Sequence, residues 1–156
     1  MIAFYDVDSE YVDFLKTIDS KVPNIKYDGN NKFVCGIVFK INNIEYYAPV
    51  SHMKIQQRTN MLIYKDEEPI SSIRFSFMFP CPIEYLNQKD FSKEEEKYQN
   101  LLRKELHYCN INREKIKKIA NEVYKLGIKE KTRKKFNICN FLKLEEQCLK
   151  YMDFKE

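Results

Sequence analysis

Residues 33–50 read Phe33-Val34-Cys35-Gly36-Ile37-Val38-Phe39-Lys40-Ile41, then Asn42-Asn43, then Ile44-Glu45-Tyr46-Tyr47-Ala48-Pro49-Val50. Two runs rich in β-branched and aromatic side chains, joined by a two-residue Asn-Asn step, form the pattern of a β-hairpin, because Asn tolerates the positive φ of a tight turn. Toward the N-terminus, residues 2–7 read as a short strand. Asp8 or Ser9 then caps a helix through about Ile18, with Tyr11, Phe14, Leu15 and Ile18 on one stripe. Val22-Pro23-Asn24 ends that helix, and Asp28-Gly29-Asn30-Asn31 reads as a polar loop. Toward the C-terminus, residues 61–65 make another strand. Ile73, Phe75, Phe77 and Phe79 alternate with Arg74, Ser76 and Met78, a period-2 signal for a half-buried strand that Pro80 and Pro82 stop. Three helices come next. Residues 92–109 place Tyr98, Leu101, Leu102, Glu105 and Cys109 on one stripe behind a Ser92–Glu95 capping box; residues 113–126 lie between Asn112 and Gly127; residues 141–152 carry Phe141, Leu144, Cys148 and Met152. Strands first and helices second predict an α+β fold in one domain, 1–156, with a compact, strongly curved antiparallel sheet flanked by helices. Periodicity leaves open whether the sheet closes into a barrel.

Composition narrows the function classes. With 44% hydrophobic and 32% charged residues, the 156-residue chain reads as globular. No apolar run approaches the roughly 20 residues that cross a bilayer, and Met1-Ile2-Ala3-Phe4-Tyr5-Asp6 is not a signal peptide, so a cytoplasmic location is expected. Five cysteines without a C-x-x-C pair predict buried free thiols in a reducing compartment, and two isolated histidines argue against zinc. Gly29, Gly36 and Gly127 are the only glycines, which excludes a P-loop and a dinucleotide fingerprint. Asp66-Glu67-Glu68 reads as a solvated loop before Pro69 and not as a two-metal centre. No cofactor and no metal are expected.

The formal net charge of +4 is unevenly spread. Residues 113–135 include Lys115, Lys118, Arg133 and Lys134 among ten cations, against only Glu114, Glu122 and Glu130. Such a segment suits a polyanion, since neutralising phosphates releases counterions, and it equally suits a solvated helix face. Eleven tyrosines can stack on unpaired bases or pack as core and rim residues.

The chemistry-bearing residues converge at the end of the second hairpin strand, in Ser51-His52-Met53-Lys54. If the strand stays extended, Ser51 and Met53 share one face and His52 and Lys54 the other. An imidazole that titrates near neutral pH can move a proton from a ribose 2′-hydroxyl or to a leaving 5′-oxygen, while a neighbouring ammonium offsets the charge of a pentacoordinate phosphorus.

These residues also carry a resemblance. In order along nearly the whole chain stand Phe4-Tyr5, the Tyr11 helix, Lys21-Val22-Pro23-Asn24, Lys32 with Gly36-Ile37-Val38, Phe77-Met78-Phe79-Pro80, and Cys139-Asn140-Phe141 with Leu144-Glu145-Glu146. At the centre, Tyr47-Ala48-Pro49-Val50-Ser51-His52-Met53-Lys54 is similar to a family pattern Y-x-A-P-[LV]-[ST]-S-P-K. The chain resembles the ToxN/AbiQ family of type III toxin–antitoxin toxins, nearest its CptN-like branch. The resemblance implies a β-barrel of the SH3-like MazF/Kid type with added helices, and an endoribonuclease leaving 2′,3′-cyclic phosphate and 5′-hydroxyl ends. It further implies inhibition by a repeated RNA pseudoknot that the toxin cuts from a precursor, a ring-shaped protein–RNA assembly, and growth arrest in phage defence. Lys54 and Ser51 match family site positions. His52 stands where the family has its catalytic serine, and Met53 replaces a proline. Lys32, Tyr11 and Tyr47 match positions lining the site, Tyr27 matches with a one-residue gap, and Arg103 takes the place of a tyrosine. Two rival readings remain: a non-catalytic RNA-binding module, and a MazF-like RNase neutralised by a protein antitoxin.

Overall fold

The computed structural model describes residues 1–24, 26–27, 30–31, 33–41 and 43–155, with side chains described for all of these except 26, 27, 30, 31, 37, 39, 154 and 155. The elements run β1 (Ala3–Val7), α1 (Ser9–Ile18), β2 (Lys26–Tyr27), β3 (Asn30–Asn31), β4 (Val34–Ile41), β5 (Ile44–Ser51), β6 (Asn60–Lys65), β7 (Glu68–Arg74), β8 (Phe79–Pro80) and β9 (Leu86–Gln88). Helices α2 (Glu96–Ile111), α3 (Arg113–Gly127), α4 (Glu130–Phe136) and α5 (Phe141–Lys155) complete the chain order.

The predicted hairpin is β4 and β5, in register from Ile41↔Ile44 to Val34↔Pro49, with a bulge between Gly36 and Phe39. Asn43 takes the left-handed φ of 66° that the turn requires; Asn42 lies outside the described residues. The main sheet has the order β6-β7-β5-β4-β1-β9, and β8 pairs with β5 beside β7. All its pairings are antiparallel. The path ends at β6 and β9 without joining them, so among the described residues the sheet is open and the barrel closure implied by the resemblance is corrected to an open sheet in an α+β fold. The predicted 28–31 loop differs too: Asn30–Asn31 pairs with Lys26–Tyr27 as a separate two-stranded ribbon, while Asp28 and Gly29 lie outside the described residues.

Asp8 caps α1, its carboxylate accepting from the Glu10 amide at 3.2 Å, as a short acceptor at a helix N-terminus should. Asp66 and Glu67, with φ of 52° and 68°, make the exposed turn between β6 and β7. Two expectations fail, and one helix goes unforeseen. The alternation over 73–79 is not one strand: β7 ends at Arg74, a 3₁₀ turn occupies Phe75–Phe77, and β8 resumes at Phe79. The reason is burial on both sides, since Ser76 and Met78 are buried along with Phe75 and Phe79. The turn moves the chain along β5, from Val50–Ser51 on β7 to Tyr46–Tyr47 on β8. Ser92 does not start α2. It lies in a 3₁₀ turn over Phe91–Lys93, with its amide and hydroxyl both donating to Asp90. Finally, the sequence pattern does not announce α4, because its seven residues expose mostly charge; it stops at Asn137, in the left-handed region at φ 54°.

One apolar core runs from the sheet, through Phe4, Val34, Tyr46 and Ile73, into the helices at Leu15, Leu102, Ile116 and Phe141. All five cysteines are free and buried within it. No helix of the described residues is long and apolar enough to cross a membrane.

Candidate RNA-cleaving site

β5 is held by β4 along one edge and by β8 and β7 on the other, and its ladder to β7 ends at Ser51↔Ser72. His52, Met53 and Lys54 therefore leave a rigid strand at the sheet margin, where a reactive group is displayed without losing its anchor. Ser51 and Met53 are half-buried, whereas His52 and Lys54 are exposed, in agreement with the alternation expected of an extended segment. The Ser51 hydroxyl accepts from the Met53 amide at 3.2 Å, which shapes the bend.

The loop after Lys54 is pinned by a residue that sequence reasoning missed. Asn60, 2% exposed, donates to the Ile55 carbonyl at 2.9 Å and accepts from the Gln57 amide at 2.8 Å. Gln56 adds bonds to the Asn60 carbonyl and side-chain oxygens, each at 3.0 Å. A buried Asn closing its own preceding loop leaves few conformations for residues 55–59, and so restrains Lys54. Its signal in the sequence is only a polar residue at the start of a strand.

A second missed residue packs against β7. Glu105 of α2 is 4% exposed and accepts a 2.6 Å hydrogen bond from the Ser71 hydroxyl of β7. Burial holds its carboxyl above the usual carboxylate range, against the Ser71 hydrogen bond and the attraction of His52.

The other expected site residues divide. Tyr11 is 0% exposed, with its hydroxyl donating to the Pro80 carbonyl at 2.6 Å and its ring stacked on Tyr85 and Tyr151. Tyr47 is 1% exposed and donates to Glu45 at 2.9 Å. Burial raises both phenols well above their ordinary value. The expectation that these two line an accessible site is corrected: both rings pack in the core, because an aromatic on an inward stripe gains more from burial than from exposure. Lys32 lies outside the described residues, as does the Tyr27 side chain. Arg103 is exposed on α2, near enough to Gln99 to donate at 3.3 Å. Lys115 and Lys118 are exposed on α3. Arg133 and Lys134 of α4 border an open cleft of about 330 Å³ together with Lys21 and Lys143. The cleft's one carboxylate, Asp19, is engaged from both sides, accepting from the Asn140 amide at 2.8 Å and from Lys21 at 3.2 Å. Burial alone would raise the Asp19 carboxyl, but the bonds from Asn140 and Lys21 prevail and lower it. Among the described residues, no three His, Cys, Asp or Glu side chains gather as a metal-holding set.

An exposed imidazole and ammonium at a strand end, in a chain that also carries cationic helices, suit a protein that acts on a polyanion. Comparison with known proteins narrows the class. The family model "Toxin ToxN, type III toxin-antitoxin system" matches residues 3–149, so the chain belongs to the ToxN toxin family. It is 27% identical to the endoribonuclease ToxN of Bacillus thuringiensis subsp. kurstaki, over 96% of this chain and 84% of that protein. To the endoribonuclease ToxN of Pectobacterium atrosepticum it is 28% identical, over 97% and 92%. A structure solved in work on selective toxin inhibition by a non-coding RNA pseudoknot superposes with a TM-score of 0.86 at 25% identity, over 97% of this chain and 98% of that one. Another, from work on a processed non-coding RNA that regulates a bacterial antiviral system, gives a TM-score of 0.85 at 26% identity, over 94% and 96%.

Proposed function

We propose that this chain, acting as one domain over residues 1–156, is the toxin of a type III toxin–antitoxin pair: an endoribonuclease that cuts RNA by transesterification. The observation that carries this reading is the exposed His52–Lys54 pair at the pinned end of β5, in a chain of the ToxN family. His52 takes the proton of the ribose 2′-hydroxyl as its oxygen bonds to phosphorus. The bond from phosphorus to the 5′-oxygen breaks, and that oxygen gains a proton, leaving a 2′,3′-cyclic phosphate and a 5′-hydroxyl. Lys54 offsets the charge that builds on the phosphoryl oxygens. Ser51 shapes the bend, and Lys32 contributes a further cation to the same site. The reaction runs without a metal.

Tyr27, Arg103, Lys115, Lys118, Arg133 and Lys134 contact RNA in this reading. The partner is an RNA antitoxin of pseudoknot repeats, which the toxin itself processes and which closes with it into a ring-shaped assembly. Release of the toxin in the cytoplasm arrests growth and aborts phage infection.

Mapping the ends of a defined RNA after incubation with the purified chain and EDTA tests the chemistry. Expected are new 5′-hydroxyl and cyclic-phosphate ends, at a rate the chelator does not change. Products bearing 5′-monophosphates, or activity lost with EDTA, overturn it; binding without new ends favours a non-catalytic RNA-binding module. Neutralisation by a protein encoded next door, with no effect of the RNA repeats, overturns the RNA antitoxin.

The cationic surface gives a separate expectation. Charge reversal of Arg133 and Lys134 to Glu weakens antitoxin binding and flattens its salt dependence. Each lost phosphate contact lowers the slope of log K against log salt by about 0.7–0.9. Titrations at several salt concentrations check this, and equal slopes for variant and native chain count against an RNA contact there.

A further inference from the structure

A guanidinium taken partly out of water is costly unless a carboxylate or another acceptor meets it. Arg74, the last residue of β7, is half-buried, and its Nε is buried without a hydrogen-bond partner. Among the described residues no carboxylate lies within ion-pair distance of it. Its guanidinium carbon lies instead 4.5 Å from the centroid of the Phe77 ring, which holds the plane of the fork but supplies no anion. The strand register shows what surrounds it. Arg74 pairs with Asn60 and Ser72 with Leu62 across β6 and β7, so these four side chains share one face, and only Arg74 among them is charged. On that face the Asn60 side chain holds the Ile55 carbonyl at 2.9 Å and the Gln57 amide at 2.8 Å. The loop that begins just after Lys54 therefore lies on the Arg74 side of the sheet, at the same end of the β6–β7 pair. A second ring-held cation stands on that loop. Arg58 is exposed, makes no ion pair among the described residues, and has its guanidinium carbon 5.3 Å from the centroid of the Phe136 ring. The Thr59 carbonyl accepts from the Phe75 amide at 3.0 Å, and the Ser76 carbonyl from the Cys139 amide at 2.9 Å. Both arginine–phenylalanine pairs thus border the 75–77 turn.

We propose that Arg74 and Arg58, each held over a phenylalanine ring, bind backbone phosphates of the RNA strand beside the phosphate that is cut. The proposal rests on the reading of the chain as a protein that cuts RNA at His52 and Lys54. In that reading Lys54 meets the charge growing on the scissile phosphate, and the two guanidinium groups stand along the loop that follows it. Each offers a planar fork that fits two phosphate oxygens, which a lysine ammonium does not. A phosphate is also the partner that Arg74 lacks. Because each fork already rests on its ring before RNA arrives, little side-chain freedom is lost on binding.

Binding is read apart from cleavage on a defined single-stranded RNA whose 2′-hydroxyls are methylated, which removes the attacking group. Arg74→Gln should weaken binding by the full chain about 10-fold, the worth of one charge-assisted hydrogen bond. It should also lower the slope of log K against log salt by about 0.7, as one lost phosphate contact on a single strand does. Arg74→Lys should keep the slope but recover only part of the affinity, since the charge remains and the fork does not. On the unmodified RNA, the single-turnover rate at saturating protein should stay within about threefold of native, because neither arginine meets the scissile phosphate. Should Arg74→Gln not fold, Arg58→Gln, a change at an exposed loop residue, reads the same two quantities with the same expectation. Native affinity and native slope in these variants overturn the proposal, as does a slower saturated rate with affinity unchanged; both results leave the His52–Lys54 chemistry standing. Arginine-dependent binding by a chain that leaves no cyclic-phosphate ends has the opposite meaning: the phosphate contacts hold and the cleavage reading fails.

Discussion

His52→Ala is expected to slow RNA cleavage about 10²- to 10⁴-fold, the usual worth of a positioned general acid or base, while leaving the melting temperature unchanged. The separation of activity from stability comes from where the residue sits. His52 is exposed, just beyond the last paired residue of β5, so its removal opens no cavity and breaks no strand pairing. Lys54→Ala should produce a loss of similar order for a different reason, since it removes the cation that meets the extra negative charge on phosphorus. Lys54→Arg should recover part of that rate, because charge is retained while geometry changes. Single-turnover cleavage with purified chains, and growth arrest on induction, measure both variants. Full toxicity in both would remove the 51–54 segment from the mechanism altogether.

The second large effect concerns stability. Gly36 pairs directly with Tyr47 across β4 and β5, and a Cβ at Gly36 would stand 2.1 Å and 2.3 Å from two carbons of the Tyr47 ring. The ring cannot easily retreat. It is 1% exposed, packs edge-on against Tyr5 at 5.5 Å between centroids, and is tied by its hydroxyl to Glu45 at 2.9 Å. Gly36→Ala should therefore cost about 3 kcal/mol, near the upper end for overpacking a core. For a chain of this length that corresponds to a drop of roughly 6–12 °C in Tm, read by calorimetry or circular dichroism. At low temperature the folded fraction should still cleave RNA, since Gly36 and Tyr47 lie one strand length from His52. An unchanged Tm would mean that the ring has room the packing denies it.

The two effects show which parts of the chain were legible and which were not. The hairpin was readable because its signals are local: β-branched runs, a tolerated positive φ at Asn43, and a regular alternation. For the same reason the Ser51-His52-Met53-Lys54 segment could be placed at a strand end with two residues facing out. The alternation over 73–79 misled because period 2 implies one solvated face, and here both faces are covered. Helix α4 escaped because seven mostly charged residues carry no stripe, although the Lys134–Glu130 pair at 2.7 Å and the left-handed Asn137 define it once folded.

Tyr11 and Tyr47 are the instructive case. A tyrosine in an apolar stripe can turn its hydroxyl to water or bury it, and the choice depends on whether an acceptor waits inside. For Tyr11 that acceptor is the carbonyl of Pro80, sixty-nine positions along the chain. No local rule reveals it. Glu105 is the converse: its place on the inward stripe of α2 was legible, but nothing nearby in sequence announced that Ser71 of β7 would meet it there.

The chain determines by itself the central hairpin, four of its helices, and the close spacing of an imidazole and an ammonium. These come from backbone periods of 2 and 3.6 residues, which act over a few positions. Tertiary structure alone decided that the sheet stays open, that two tyrosines serve the core, that Lys21 and Lys143 join Arg133 around one cleft, and that a buried carboxylate of α2 meets Ser71 of β7. Those outcomes depend on contacts between segments far apart in the sequence, whose energies are settled only when the whole core packs at once.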